Sequence, residues 1–292
     1  MEQQLFGGDW TQEKLLCLTK YLHAYTTIFR GNPQARYYTT VYVDAFAGTG
    51  SLTRKFSPGK LFPELAEPEA RDYLKGSAKR AFEVEPGFDH YLFIERDSER
   101  CKELETLRSL YPQKAPRIEI RNAEANSCLE EWCSKTDWRK TRAVVFLDPF
   151  GMQVKWRLME VIAATQGIDL WILFPLGSAV NRLLTTNEPP RGAWSEALTD
   201  FLGTQTWKEE FYRTRVVQTL FGPKQENVKQ ADLNKVGSFF LKRLRTVFAG
   251  VAGKPLVLRN SKKIPIFLFC FAAGNQKGAT KGVKIAQQII GE

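Results

Sequence analysis

Three short stretches carry side chains whose types and spacing can do chemistry together. The first is Asp44-Ala-Phe-Ala-Gly-Thr-Gly50, an acid followed at once by small residues. Without a Cβ, glycine lets a ligand press against main chain, and a carboxylate beside it can meet an ammonium or a hydroxyl. The second is Glu95, which closes His90-Tyr-Leu-Phe-Ile-Glu95. An acid at that place in a nucleoside site accepts hydrogen bonds from ribose hydroxyls. The third is Asp148-Pro-Phe-Gly151. A carboxylate and a backbone carbonyl at such a turn can hold the N–H groups of an amine and stabilise the cation that forms as its nitrogen attacks. Phe150 can stack on a flat base or brace the turn.

Each stretch sits where an element must end. Tyr38–Val43 is β-branched and aromatic, as a buried strand should be, and hands over to the small residues at Asp44. Ala143–Leu147 is uniformly apolar, the mark of a central parallel strand, and Pro149 stops it. Arg117–Arg121 alternates as a half-buried strand, and Asp169–Phe174 reads as a fifth. At the end of the former, Glu124 or Asn122 can reach an adenine amino group. After the latter, Asn181 and Arg182 are candidates for substrate or phosphate.

The glycine loop does not fit a dinucleotide fingerprint, because position 53 is Thr where a third glycine is needed. Glu95 lies 45 residues beyond Gly50, against about 20 in that fingerprint. Removing the Pro-punctuated stretch 51–75 restores the interval, so it reads as an insertion at the ligand end of the sheet, a substrate lid or a mobile loop. Asp97 is the fallback for Glu95, although it suits the cap of a helix over Ser98–Ser109. Ser77 suits the cap of a short helix through Glu83.

Asp9 to Phe29 predicts a capped amphipathic helix stopped by Gly31-Asn-Pro33, with Trp10 and Lys14 one turn apart near its start. Beyond 190 the pattern loosens into an aromatic-rich helical region, then a helix over Asp232–Phe248, strands at Pro255–Arg259 and Pro265–Phe271, and a closing helix at 277–290. The expected organisation is an N-terminal helix over 1–37, an α/β core over 38–190 with the insertion, and a basic part over 191–292.

The 292 residues permit one large α/β domain. Five cysteines with no Cys-x-x-Cys pair favour reduced thiols over disulfides or a metal site. The first residues lack a basic-then-apolar leader and no apolar run reaches membrane length, so a soluble cytoplasmic protein is expected. Residues 203–292 hold 16 Lys and Arg against 5 Asp and Glu, while 1–202 hold 26 against 27. The whole positive excess therefore lies in the last third, which points to a polyanion such as nucleic acid.

Taken together, Trp10-Thr-x-x-Lys14, Tyr42-Val-Asp-Ala-Phe-Ala-Gly-Thr-Gly50, Gly76-Ser77, Phe93-Ile-Glu95, Phe146-Leu-Asp-Pro-Phe-Gly151, Phe174-Pro-Leu and Asn181-Arg182 give a chain that resembles the three-Cys-motif partner family of bacterial and phage methyltransferase-like proteins. The resemblance implies a Rossmann-like class I methyltransferase fold, with a mostly parallel seven-stranded sheet and helices on both faces. It implies S-adenosylmethionine as cofactor, with Lys14, Asp44, Phe46, Ala47, Gly48, Gly50, Glu95 and Glu124 around it. It also implies a neighbouring partner with a cysteine triad, similar to radical S-adenosylmethionine proteins. Position 124 is Glu where the family has Asp. The Asp-Pro-Phe-Gly turn is similar to that of methylases acting on exocyclic amines, which gives Asp148, Pro149 and Phe150 the catalytic role. No Pro-Cys dipeptide offers a nucleophile for cytosine-carbon methylation. A noncatalytic binding module on the same shell and a small-molecule methylase are the alternatives.

Overall fold

A computed structural model describes residues 9–47, 76–219 and 222–292. Gly48, Gly50 and the insertion expected over 51–75 lie outside the described residues. Helix α1 (Asp9–Gly31) leads into β1 (Thr39–Asp44). A helix over 76–83 (α2) follows, then β2 (His90–Glu95), α3 (Ser98–Ser109), β3 (Ile118–Asn122), α4 (Ala125–Lys135), β4 (Thr141–Leu147), α5 (Trp156–Ala164) and β5 (Ile168–Phe174). The remainder comprises α6 (Ala193–Leu202), α7 (Trp207–Phe211), β6 (Tyr212–Thr219), β7 (Gly222–Lys229), α8 (Leu233–Leu244), β8 (Gly250–Val251), β9 (Leu256–Arg259), β10 (Pro265–Ala273) and α9 (Ala279–Gly291).

The main sheet runs β3-β2-β1-β4-β5-β10-β8, with β9 also paired to β10. Strands β1 to β5 are parallel, and β10 is antiparallel to β5, from Leu268 opposite Phe174 to Ala273 opposite Asp169. Eight strands therefore stand where seven were expected, because the short β8 and β9 each take a length of β10. This is a doubly wound, Rossmann-like α/β sheet with an antiparallel strand beyond β5. Chain order reverses beside β1, whose neighbours are β2 and β4, and in open α/β sheets ligands bind beyond the strand C-termini at that switch point. Asp44 and Asp148 flank it, one closing β1 and the other following β4.

The central strands are apolar on both faces because both are covered. On one side Val43, Val145, Leu147 and Ile172 meet Leu158 and Ile162 of α5 and Leu198 of α6. On the other, Tyr42, Val144, Trp171 and Phe271 meet Leu18, Tyr21, Leu22 and Tyr25 of α1. Helix α1 is thus bound to the sheet by aromatic packing, and Tyr21 lies 4.9 Å from Phe271 and 5.3 Å from Trp171, centroid to centroid. No helix of the described residues is long and apolar enough to cross a membrane.

The aromatic region after 190 departs from the expectation. Helices α6 and α7 form, but Tyr212 already begins a strand, and β6 and β7 pair antiparallel as a separate two-stranded sheet from Tyr212 opposite Lys229 to Thr219 opposite Gly222.

Candidate active site

The acids expected at the strand ends do converge on one edge of the sheet, and burial sets their chemistry. Asp44 is 1% exposed. Its Oδ2 accepts a 2.9 Å hydrogen bond from the Ser77 hydroxyl, while Oδ1 is buried with no partner among the described residues. Burial pushes this carboxyl up to about 7; the Ser77 and Phe46 N–H bonds and the Lys14 charge pull it down, and the Asp148 charge adds to the rise. Ser77 lies within α2 instead of capping it from outside, and its hydroxyl serves Asp44. Nothing in the spacing signals that role, since the two residues are 33 positions apart.

Glu95 repeats the arrangement one strand over. Its Oε1 accepts the Asp97 N–H at 2.6 Å, and its Oε2 is buried without a partner among the described residues. Burial raises this carboxyl, too, to about 7, against hydrogen bonds from Asp97 and Arg96 and the charge of Arg100. Asp97 accepts from the N–H groups of Glu99 and Arg100 as the cap of α3, the alternative expected for it. A buried acceptor without a donor is costly, at about 1–3 kcal/mol. Two of them, on adjacent parallel strands at the switch point, describe a place prepared for a ligand that brings donors. An ammonium for Asp44 and a vicinal diol for Glu95 fit these atoms.

Lys14 reaches the same edge from α1 and pairs there with the acid of the second turn. Its Nζ is fully buried and donates to Asp148 Oδ2 at 2.8 Å. The ammonium lies 5.4 Å from the centroid of Trp10 and 5.7 Å from that of Phe146, within range of cation–π attraction. Trp10 in turn packs on Phe267 of β10 at 5.1 Å. Burial pushes Lys14 down and Asp148 up, and the charge of each opposes the shift of the other. The Trp10 and Lys14 pair therefore reaches the acid of the Asp-Pro-Phe-Gly turn, with the charge of Asp44 close enough to favour the ammonium.

The turn itself is braced from below. Gly151 takes φ +71°, a left-handed conformation open to glycine. The Phe150 N–H donates to Gln153 Oε1 at 3.3 Å, and Phe150 is half-buried beside a buried Pro149. Asn126, which sequence reasoning passed over, ties this turn to α4. Its amide donates to the Gln153 carbonyl at 3.0 Å and accepts the Lys155 N–H at 2.9 Å.

Two of the expected residues also hold local structure. Glu124 caps α4: Oε1 accepts from the Asn126 N–H and side-chain amide, and Oε2 from the Ser127 N–H and hydroxyl. Its carboxylate is exposed at the helix start, so an adenine amino group would share it with those donors. Asn122 donates its NH2 to the carbonyls of Glu95 and Arg96, which leaves the amide oxygen as the acceptor that an adenine amino group would need. Asn181 accepts a 2.7 Å bond from Lys229 of β7, which gives it a role in anchoring the hairpin, and Arg182 is exposed beside it. Phe46 is half-buried and Ala47 buried, with the Ala47 N–H donating to the Ile94 carbonyl.

No protein-family model matches the chain, and no curated protein matches its sequence. Among solved structures it is similar to a glycopeptide N-methyltransferase complexed with S-adenosyl-L-homocysteine, at 10% identity and TM-score 0.32, covering 87% of this chain and 89% of that one. It is similar also to magnesium protoporphyrin IX methyltransferase from Synechocystis with bound cofactor, at 9% identity and TM-score 0.30, over 79% and 87%. Spermidine synthase from Thermotoga maritima matches at 8% and TM-score 0.30, over 95% and 76%. At these scores the likeness is loose, and the fold assignment rests on the strand order given above.

Proposed function

We propose that this chain is an S-adenosylmethionine-dependent methyltransferase whose acceptor is an amine nitrogen of a nucleobase. The observation that carries the reading is the pair of buried oxygens with no partner among the described residues, Asp44 Oδ1 and Glu95 Oε2, at neighbouring strand ends beside the switch point. Asp44 would hold the methionine ammonium and Glu95 the ribose hydroxyls, each through that oxygen. The cofactor, when bound, supplies an electrophilic methyl group. Asp148 and the carbonyl of Pro149 would accept the N–H groups of the incoming amine and direct its lone pair, and Phe150 would stack on the base. The basic excess of the last third supports a polyanionic acceptor over a small molecule.

Lys14 gives Asp148 a second task. By holding Oδ2, it opposes the upward push of burial on this carboxyl and so favours the carboxylate form, which can stabilise positive charge growing on the nitrogen. The same contact favours a rival reading, a noncatalytic nucleic-acid- or protein-binding module, because the acid that should orient the acceptor already has a cation. The resemblance to the three-Cys-motif partner family extends the proposal to a cysteine-triad partner encoded nearby.

Isothermal titration with S-adenosylmethionine, followed by incubation of the protein with methyl-labelled cofactor and fractionated cellular DNA, RNA and protein, separates the readings. Binding that is lost in Asp44→Asn, with label entering nucleic acid, is the expected result. Absence of binding at millimolar cofactor overturns the proposal in favour of the module, and label entering a small molecule moves the acceptor there.

A further inference from the structure

The β6–β7 hairpin is a two-stranded ribbon anchored to the chain that leaves β5. Its base is pinned to the chain that leaves β5: Lys229 donates through Nζ to Asn181 and through its N–H to the Thr186 carbonyl at 2.9 Å, and the Tyr212 hydroxyl donates to the Thr185 carbonyl at 2.8 Å. Those residues follow the C-terminal end of β5, the edge that carries Asp44 and Asp148. From that base the strands run eight residues each, which at about 3.3 Å per residue reaches roughly 26 Å.

An isolated two-stranded hairpin is marginal in water, and residues 213–216 are all exposed, including Val216 at 62%. Strand alternation sorts them onto two faces. Thr214 stands opposite Asn227 and Val216 opposite Gln225 on one, with the Thr214 hydroxyl donating to Asn227 at 2.9 Å. Arg213 stands opposite Val228 and Arg215 opposite Glu226 on the other. Arg215 and Glu226 approach to 3.9 Å, an exposed pair that contributes little. Beyond its base, where Lys229 is turned to Asn181, the first face thus offers the polar side chains of Thr214, Gln225 and Asn227 and the apolar Val216. The second offers guanidinium groups long enough to reach past the ribbon's edges.

We infer that this hairpin is a DNA-reading arm that lies in the major groove of duplex DNA and delivers the acceptor base to Asp148. A two-stranded ribbon matches the groove's width of about 12 Å. Asn and Gln pair with adenine edges, Thr bonds to either base type, and an apolar side chain meets the thymine methyl. The arginines supply the phosphate contacts that fix the ribbon's position. The narrow major groove of an RNA duplex does not admit such a ribbon. Lys262 and Lys263, exposed in the turn between β9 and β10, extend the cationic surface along the same edge, since Pro265 of β10 lies against Gly177 after β5. The inference rests on the reading of the acceptor as a nucleobase amine, but its test measures binding without cofactor, so the two can fail separately.

The experiment is fluorescence anisotropy of the full chain with a labelled 30-base-pair DNA duplex of mixed sequence, its single strands, and the equivalent RNA duplex. The expected result is tightest binding to duplex DNA. Arg213→Ala/Arg215→Ala should weaken it by roughly tenfold or more and lower the slope of log affinity against log salt by about 2. Thr214→Ala/Gln225→Ala/Asn227→Ala should retain affinity for mixed duplex but narrow the spread of affinities across a panel of duplex sequences. Circular dichroism and thermal melting, unchanged in both variants, exclude unfolding. Equal or tighter binding to single strands or RNA, no binding to any of the three, or an arginine variant that binds as the parent does would overturn the inference.

Discussion

The contact between Lys14 and Asp148 decides how the active-site residues must be tested. Both groups are buried, and a buried pair gives up most of its Coulombic gain to desolvation, whereas removing one member leaves an uncompensated charge. Lys14→Met should therefore destabilise the fold by about 3–5 kcal/mol in urea unfolding. Lys14→Met/Asp148→Asn, which removes both charges, should recover most of that loss. The double variant is also the fair test of catalysis: it should bind S-adenosylmethionine nearly as the parent does yet transfer no methyl group, and retained turnover would remove Asp148 from the mechanism. Asp44 and Glu95 give a second prediction, in pH. Both folded-state values, about 7, lie above the ordinary 3.8 and 4.5. A carboxyl raised in this way stabilises the fold at acid pH, and that contribution is lost as pH rises from about 4 through 7. An ammonium ligand requires the ionised Asp44, so cofactor affinity should rise about tenfold per pH unit up to about 7 and then level off. Titration calorimetry at pH 6 in two buffers of different ionisation enthalpy should show proton release on binding, and a binding enthalpy indifferent to buffer would remove Asp44 from the ammonium site.

Elements that position these residues differ in how openly the sequence declares them. Strands β1, β2, β4 and β5 were legible because each is an apolar run ended by an acid or by Pro, and burial on both faces demands that pattern. Helix α3 was legible to the residue through its Asp97 cap. The same capping chemistry concealed Glu124, because an acid at a strand end and an acid at a helix start are one position when the connection is this short. Hairpin β6–β7 was missed for another reason. Its strands are exposed on both faces, so no period-2 burial marks them, and the aromatic residues just before it, Trp207 and Phe211, suggest helix. The segment leaving β5 is held by a close approach invisible in sequence: a Cβ on Gly177 would come within 2.3 Å of the Pro265 carbonyl oxygen. A backbone atom at that distance cannot step aside, so Gly177→Ala should force the start of β10 away from the rim. The expected cost is about 1–3 kcal/mol by thermal or urea unfolding, with Gly253→Ala, where the nearest atom is 4.0 Å away, as the mild control.

Across the whole molecule, charge and fold are divided between the two parts of the chain. The strands that carry Asp44, Glu95 and Asp148 belong to a portion that is nearly neutral, whereas the basic excess follows β5. Composition showed that excess and could not say where it would stand, because α8 and α9 carry part of it on the helical faces, Arg213 and Arg215 stand exposed on the hairpin anchored after β5, and Lys262 and Lys263 lie in the turn before β10. Sheet topology makes the difference: β10 runs antiparallel to β5, and so returns the Lys262 turn to the edge where the parallel strands end. A polymer held at that edge by its phosphates releases counterions on binding, and a nucleoside does not. Methyl transfer to a nucleic-acid acceptor should therefore show an apparent KM that rises roughly 100-fold between 50 and 200 mM salt if about four phosphates are engaged. Its kcat should stay nearly constant, since the acids that align the amine are buried and little screened. Transfer to the corresponding nucleoside should be slow and indifferent to salt. Initial-rate kinetics on both acceptors across that range check the division, and equal salt dependence for the two would show that the basic edge takes no part in presenting the base to Asp148.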